Sequence, residues 1–260
     1  MEGLEPSTDT SEGAWLADRL PGLLGTVASV VPRGFDAYAR ILHPVEMSAG
    51  GQPLTWVAVC ERTGRIPHAR MQWTAIAGGL DDGDGRVGSL APPALSALLG
   101  VLAPVTGGQD CFHALWEGWG WVDGSGVLAV SVCDDGRVEP APQPPPGVLP
   151  EVWELPRLRL PGRDYLLFRG PLRAAANMGW HAGPGDFQPQ SPSLLWPADR
   201  SWCVGTEIDF DSTLVGGSAG LIGAVLAASG LEAWPVEPDD DLTIFGDALN
   251  SRRGGDPAPS

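Results

Sequence analysis

The spacing of apolar residues changes character several times along the chain, and each change marks an element. In PPALSALLGVLAP, Leu95, Leu98, Leu99 and Leu102 fall at i, i+3, i+4 and i+7. That is the stripe of an amphipathic helix, and the two prolines suit its first turn. A second stripe, Leu221, Ile222, Val225 and Leu226, starts after Ser218, a good N-cap, and stops at Gly230. A third helix is expected over 13–31, with Trp15, Leu16, Leu20, Val27 and Val30, interrupted at Pro21 and stopped by Pro32. TWVAVCERTG reads as either a strand or a short helix capped by Thr55 and ended by Gly64, the helix being favoured.

A period of two takes over elsewhere. GFDAYARILHPV alternates Phe35, Ala37, Ala39 and Ile41 with more polar neighbours, and CFHALWEGWGW, GVLAVSVC, RDYLLFRGPL and LEAWPV also read as strands. From Trp202 to Phe210 the alternation predicts one more strand. Trp202, Val204, Thr206, Ile208 and Phe210 point one way, and Cys203, Gly205, Glu207, Asp209 and, just beyond, Asp211 point the other.

These elements predict one α/β or α+β domain over residues 13–250. Its mixed β-sheet, of about five to seven strands, is covered by helices near 13–31, 92–103 and 218–229. The strand at 202–210, the helix after Ser218 and LEAWPV make a C-terminal β-α-β unit with a right-handed crossover. Residues 1–12 and 251–260 are polar and expected to be mobile tails. The segment 139–151, EPAPQPPPGVLPE, is read as a proline-stiffened loop within the sheet, an interdomain linker being the alternative.

Charge narrows the possible partners. The chain has 260 residues and a formal net charge of −16, and all 16 of its basic residues are arginine. Such a protein repels phosphate backbones and anionic lipid, so neither nucleic acid nor a membrane surface is an expected partner. Without lysine, Schiff-base chemistry and the P-loop lysine are excluded. Four cysteines, Cys60, Cys111, Cys133 and Cys203, stand far apart with no C-x-x-C, which suits buried thiols in a reducing cytosol. The acidic N-terminus does not resemble a signal peptide, and no apolar run reaches the roughly 18 residues of a membrane helix. A cytoplasmic protein is expected.

Three blocks, FHALWEGWGW, LPGRDYLLFRGPL and LLWPADRSWCVGTEIDFDSTLVGGS, resemble a family of proteins from high-GC actinobacteria. That family carries no established activity, so the resemblance implies a bacterial origin and a single unit over most of the chain, and it transfers no catalytic residue.

Asp209-Phe210-Asp211-Ser212-Thr213 spells D-x-D-x-T, the string of phosphatases with an aspartate nucleophile. In that chemistry Asp209 attacks phosphorus, Asp211 is the general acid and base, and Thr213 orients them. A later acidic group, Asp239–Asp241 or Asp247, would help hold Mg²⁺. Three features oppose this. The chain ends at Ser260, too soon to build the rest of that fold, and the only basic residues after Thr213 are Arg252 and Arg253. The alternating pattern is also wrong for a central strand buried on both faces. The same alternation would place Glu207, Asp209 and Asp211 on one strand face, roughly 6.5–7 Å apart. Such a face is either solvated, with Arg169, Arg173 or Arg200 as partners, or a hard-cation site for Mg²⁺ or Ca²⁺.

The remaining candidates are less pointed. His43, His68, His113 and His181 form no metal-binding spacing. Cys111 and His113 share a strand face as i and i+2 and could suggest a thiol–imidazole pair. Of the 11 tryptophans, Trp116, Trp202 and Trp234 are assigned to the core, and Trp119, Trp121 and Trp180 are candidates for a ligand or partner surface. The sequence thus favours a non-catalytic cytosolic protein that binds a protein partner or a small ligand and needs no cofactor. The alternative is a metal-dependent hydrolase or phosphotransferase using Glu207, Asp209 and Asp211.

Overall fold

The short strands that organise the molecule are apolar on both sides, which requires cover on both faces of the sheet. Among the described residues nine strands form that sheet: β1 (Glu5–Pro6), β2 (Ala37–Leu42), β3 (Asp110–Trp116), β4 (Leu158–Leu160), β5 (Arg163–Pro171), β6 (Leu194–Pro197), β7 (Cys203–Gly205), β8 (Ser212–Gly217) and β9 (Glu232–Val236). The computed structural model describes residues 1–22, 24–47, 53–78, 83–125, 130–132, 138–140, 146–183 and 185–251. Strand order is β1-β5-β3-β6-β7-β8-β2-β9, with β4 also pairing β5, and every registered pair is antiparallel. The α+β class and the single domain agree with the sequence, and the sheet is larger than its five to seven strands. Small two-stranded hairpins, among them Gly179–Gly183 with Asp186–Pro189, lie off this sheet.

Three helices have the expected boundaries within a few residues: α1 (Trp56–Thr63), α2 (Pro92–Thr106) and α3 (Ala219–Ala227). In α1 the Thr55 hydroxyl accepts from the Ala58 N–H at 3.2 Å, and Gly64 closes the helix in a left-handed conformation. Leu95, Leu98, Leu99 and Leu102 of α2 meet Leu221, Ile222 and Val225 of α3 over one sheet face, against Ala39, Ile41, Val204 and Val215. On the other face the 14–31 segment lays Trp15, Leu16, Val27, Val30 and Val31 over Phe112, Trp196, Cys203 and Leu214. Added β-carbons at Gly205 and Gly216 would stand 2.8 Å from Val30 and Val31 atoms, so glycine lets this segment lie directly on β7 and β8.

Several local expectations fail for identifiable reasons. The helix expected over 13–31 is reduced to single turns at Ala14–Ala17 and Val27–Ser29, separated where Gly22 and Gly25 take positive φ, and a further turn at Thr10–Gly13 precedes them. Residues 1–12 are not a free tail: Glu5 and Pro6 pair with β5, and Leu4 is buried. At the other end the Ser251 N–H donates to the Asp247 carbonyl, and residues 252–260 lie outside the described residues. Of the proline segment 139–151, residues 141–145 also lie outside them, and Pro150–Trp153 is a helical turn. In the C-terminal β-α-β unit the strand entering α3 is β8, not 202–210. The strands β8 and β9 both pair antiparallel with β2, which stands between them.

Candidate functional site

The largest departure from the sequence reading falls on its main candidate. The strand from Trp202 ends at Gly205, and the chain turns over residues 206–211, closed by a 3.0 Å hydrogen bond from the Phe210 N–H to the Glu207 carbonyl. The two-residue alternation there belongs to a turn between two wholly buried strands, so Glu207, Asp209 and Asp211 do not share a strand face. They meet two different arginines. Arg163, at the start of β5, reaches both Glu207 and Asp209, the latter at 3.0 Å, and lies over the Trp116 ring. Burial alone would lower the Arg163 guanidinium, but pairing with Glu207 and Asp209 outweighs it and holds the group above its ordinary range. Two of the three expected partners are engaged elsewhere, Arg169 with Asp110 and Arg200 with Glu12.

Asp211 faces inward, to Arg40 at 3.3 Å. Arg40 of β2 is 1% exposed. It also donates to the Ser212 hydroxyl at 2.9 Å and to the carbonyls of Ala69 and Met71 at 3.0 and 2.9 Å, and it lies over Trp56. Burial pulls its pKa down, and Asp211 opposes that shift. The next residue along β8, Thr213, points to the opposite face, as strand geometry requires. There it hydrogen-bonds to His43 Nε2 at 2.9 Å and to the Thr206 hydroxyl at 2.7 Å. His43 Nδ1 contacts the Arg86 carbonyl, which can only accept, so Nδ1 carries the proton and Nε2 accepts from Thr213. Thr213 in turn accepts from Thr206. Burial, aided by the charges of Arg40 and Arg86, pushes the His43 pKa down to about 4, so the imidazole is neutral.

Asp209, Asp211 and Thr213 are thus divided among three contacts: a partly buried guanidinium, a fully buried guanidinium and a buried imidazole. They do not converge as a nucleophile, an acid and an orienting hydroxyl must. Arginine also occupies an oxygen of each of the three carboxylates. Among the described residues no cluster of three His, Cys, Asp or Glu side chains is arranged to hold a metal. The late acidic candidates are committed too. Asp239 pairs with Arg33, Asp240 with Arg70, and Asp247 accepts from His68 Nε2 at 2.8 Å.

Cys111 and His113 are both fully buried, and burial moves them away from an ion pair. The thiol rises to about 12 and the imidazole falls to about 4. The backbone of Gly170 and Pro171 offsets the histidine shift slightly, although neither ring nitrogen makes a well-aimed hydrogen bond. The proposed tryptophan surface also moves. Trp121 is buried, and Trp119 and Trp180 are half-buried against the same core cluster. Trp116 and Trp234, assigned to the core, are partly buried, and Trp202 is fully so.

Among the described residues several clefts of about 300 to 340 Å³ open at the surface, and one of them adjoins the acidic turn. This cleft, of about 320 Å³, is lined by Trp73, Asp209, Phe210, Asp211, Leu242 and Ile244, among others. Trp73 comes from a helical turn over Trp73–Ile76 whose place is fixed by packing, the ring meeting Trp56 edge-on at 5.8 Å. A smaller cleft of about 170 Å³ on the other side of Asp209 holds Arg163 and Glu207. Among the described residues no helix is long and apolar enough to cross a membrane. No family model, curated protein or solved structure matches the chain.

Proposed function

We propose that this protein acts in the cytoplasm by binding another protein, without a catalytic step of its own. One observation carries the reading. The carboxylates that would do chemistry are each paired with Arg163 or Arg40, while the adjoining cleft, walled by Trp73, Phe210, Leu242 and Ile244, remains open. Aromatic and aliphatic walls with carboxylates at the rim suit recognition, since aromatic anchors dominate interface energy and charge sets orientation. The neutral His43–Thr213–Thr206 chain is closed within the protein and has no exposed end from which to activate water.

The competing reading, a metal-dependent hydrolase or phosphotransferase, makes a different prediction. It requires turnover of a generic phosphoester such as p-nitrophenyl phosphate with Mg²⁺, abolished by Asp209→Asn. The expected result is no turnover above buffer. Turnover that disappears in Asp209→Asn but persists in a remote surface variant would overturn the binding reading.

A further inference from the structure

The segment after β9 places large apolar side chains in water on a firmly built turn. Leu242 is buried and its N–H donates to the Gly25 carbonyl at 2.8 Å. Asp241 accepts from the Thr243 N–H at 2.8 Å, and the Gly246 N–H closes on the Thr243 carbonyl at 2.9 Å. Gly246 passes so near the Asp241 carbonyl that an added β-carbon would stand 2.0 Å from it. Asp247 then accepts from His68, Gln72, Leu249 and Asn250, while Asn250 bonds both the N–H and the carbonyl of Ile66 at 2.9 Å. On this frame Ile244 is 66% exposed and Phe245 82% exposed, with Leu249 and Ile66 also open to solvent. Exposed apolar groups held in one geometry bind without a large ordering cost.

Charge selects the occupant. A second copy of the chain would bring a further −16 against the same −16, and like charge of that size opposes self-association. The turn also borders the 320 Å³ cleft, since Leu242, Thr243 and Ile244 line it together with Asp209, Asp211, Trp73 and Phe210. Asp209 is 76% exposed, and only its Oδ2 is engaged by Arg163 among the described residues. Carboxylates beside aromatic faces suit a guanidinium, which stacks on the ring while donating to the acid. Resting on the binding reading above, we infer that the Ile244–Phe245 turn and this cleft together dock a cationic, arginine-bearing segment of another protein. Its apolar side chains would cover Phe245, and its arginine would enter against Asp209.

The test uses the full chain and a labelled short peptide alternating arginine with leucine, followed by fluorescence anisotropy. Two comparison peptides replace arginine with glutamate or leucine with serine. Phe245→Ser and Asp209→Asn alter exposed side chains, and Glu151→Gln serves as a remote control. The wild type is expected to bind the arginine–leucine peptide and neither comparison peptide. Phe245→Ser should weaken binding about tenfold or more, as loss of an interface anchor does. Asp209→Asn should weaken it a few-fold, with a shallower salt dependence, and Glu151→Gln should leave it unchanged. Absence of binding, equal binding of the glutamate peptide, or affinity that Phe245→Ser leaves intact would overturn the inference. So would a dimer in sedimentation that Phe245→Ser dissolves, which assigns the face to a second copy. If the peptide binds and both site variants bind it as tightly as the wild type, the surface is wrong while the binding reading stands. Asp209-dependent phosphoester turnover would instead remove the reading itself.

Discussion

Arg40 and Arg163 both meet carboxylates of the 206–211 turn, one from deep inside the molecule and one from nearer its surface. Arg40 is 1% exposed and its guanidinium is enclosed by Asp211, the Ser212 hydroxyl and the carbonyls of Ala69 and Met71. Arg163 reaches Glu207, which is nearly buried, and Asp209, which is 76% exposed. The inner arginine links β2, β8 and the loop before Trp73, so its loss leaves several buried polar groups without partners. The outer one holds the nearly buried Glu207 and also contacts Asp209, whose charge water could solvate. Contacts of similar chemistry therefore divide into a structural one, Arg40–Asp211, and one that can be exchanged for a ligand, Arg163–Asp209.

The sharpest way to break that contrast is Arg40→Met. Removing one partner of a buried charge network costs about 3–5 kcal/mol. Urea unfolding should show a fall of that size. A loss below about 1 kcal/mol, the usual value of an exposed pair, would make the Arg40–Asp211 contact no different from the Arg163–Asp209 contact.

Acidification probes the opposite face of β8. His43 and His113 are held neutral, each pushed down from 6.5 to about 4 by burial. Below about pH 6.5 the unfolded chain takes up protons that the folded chain does not, so stability falls as pH falls. Each histidine adds a slope approaching about 1.4 kcal/mol per pH unit until the folded pKa is reached. His43→Gln should flatten the stability curve in this window, and an unchanged slope would show that His43 titrates freely. Thr213→Val should cost about 1–3 kcal/mol, because it leaves the His43 ring nitrogen and the Thr206 hydroxyl unsatisfied. A loss well under 1 kcal/mol would mean that this hydroxyl chain contributes little to the fold.

The parts of this architecture that could be read from sequence are those governed by near neighbours. The leucines of α2, the Thr55 and Gly64 caps of α1 and the Ser218 cap of α3 act within one or two helical turns. The 206–211 turn imitates a strand because Thr206, Ile208 and Phe210 continue the alternation begun at Trp202, although β7 stops at Gly205. Arginine partners are set by topology: Arg163 is 44 residues from Glu207, and Arg40 is 171 from Asp211. No local pattern encodes such a pairing. Nor does one separate Ile244 and Phe245, which face water, from Leu242, which is buried two residues earlier.

Asp209→Asn gives the smallest expected effect and sharpens the comparison from the other side. Its carboxylate is 76% exposed and accepts one 3.0 Å contact from Arg163, which keeps Glu207 in any case. An exposed pair of this kind contributes about 0–1 kcal/mol and less in salt. Thermal unfolding of Asp209→Asn should therefore match the wild type closely, and adding salt should narrow the difference. A drop as large as that of Arg40→Met would place Asp209 in the structural network and remove it from the docking surface. If stability is preserved, any loss of peptide binding in this variant reports recognition, because the fold beneath it is unchanged.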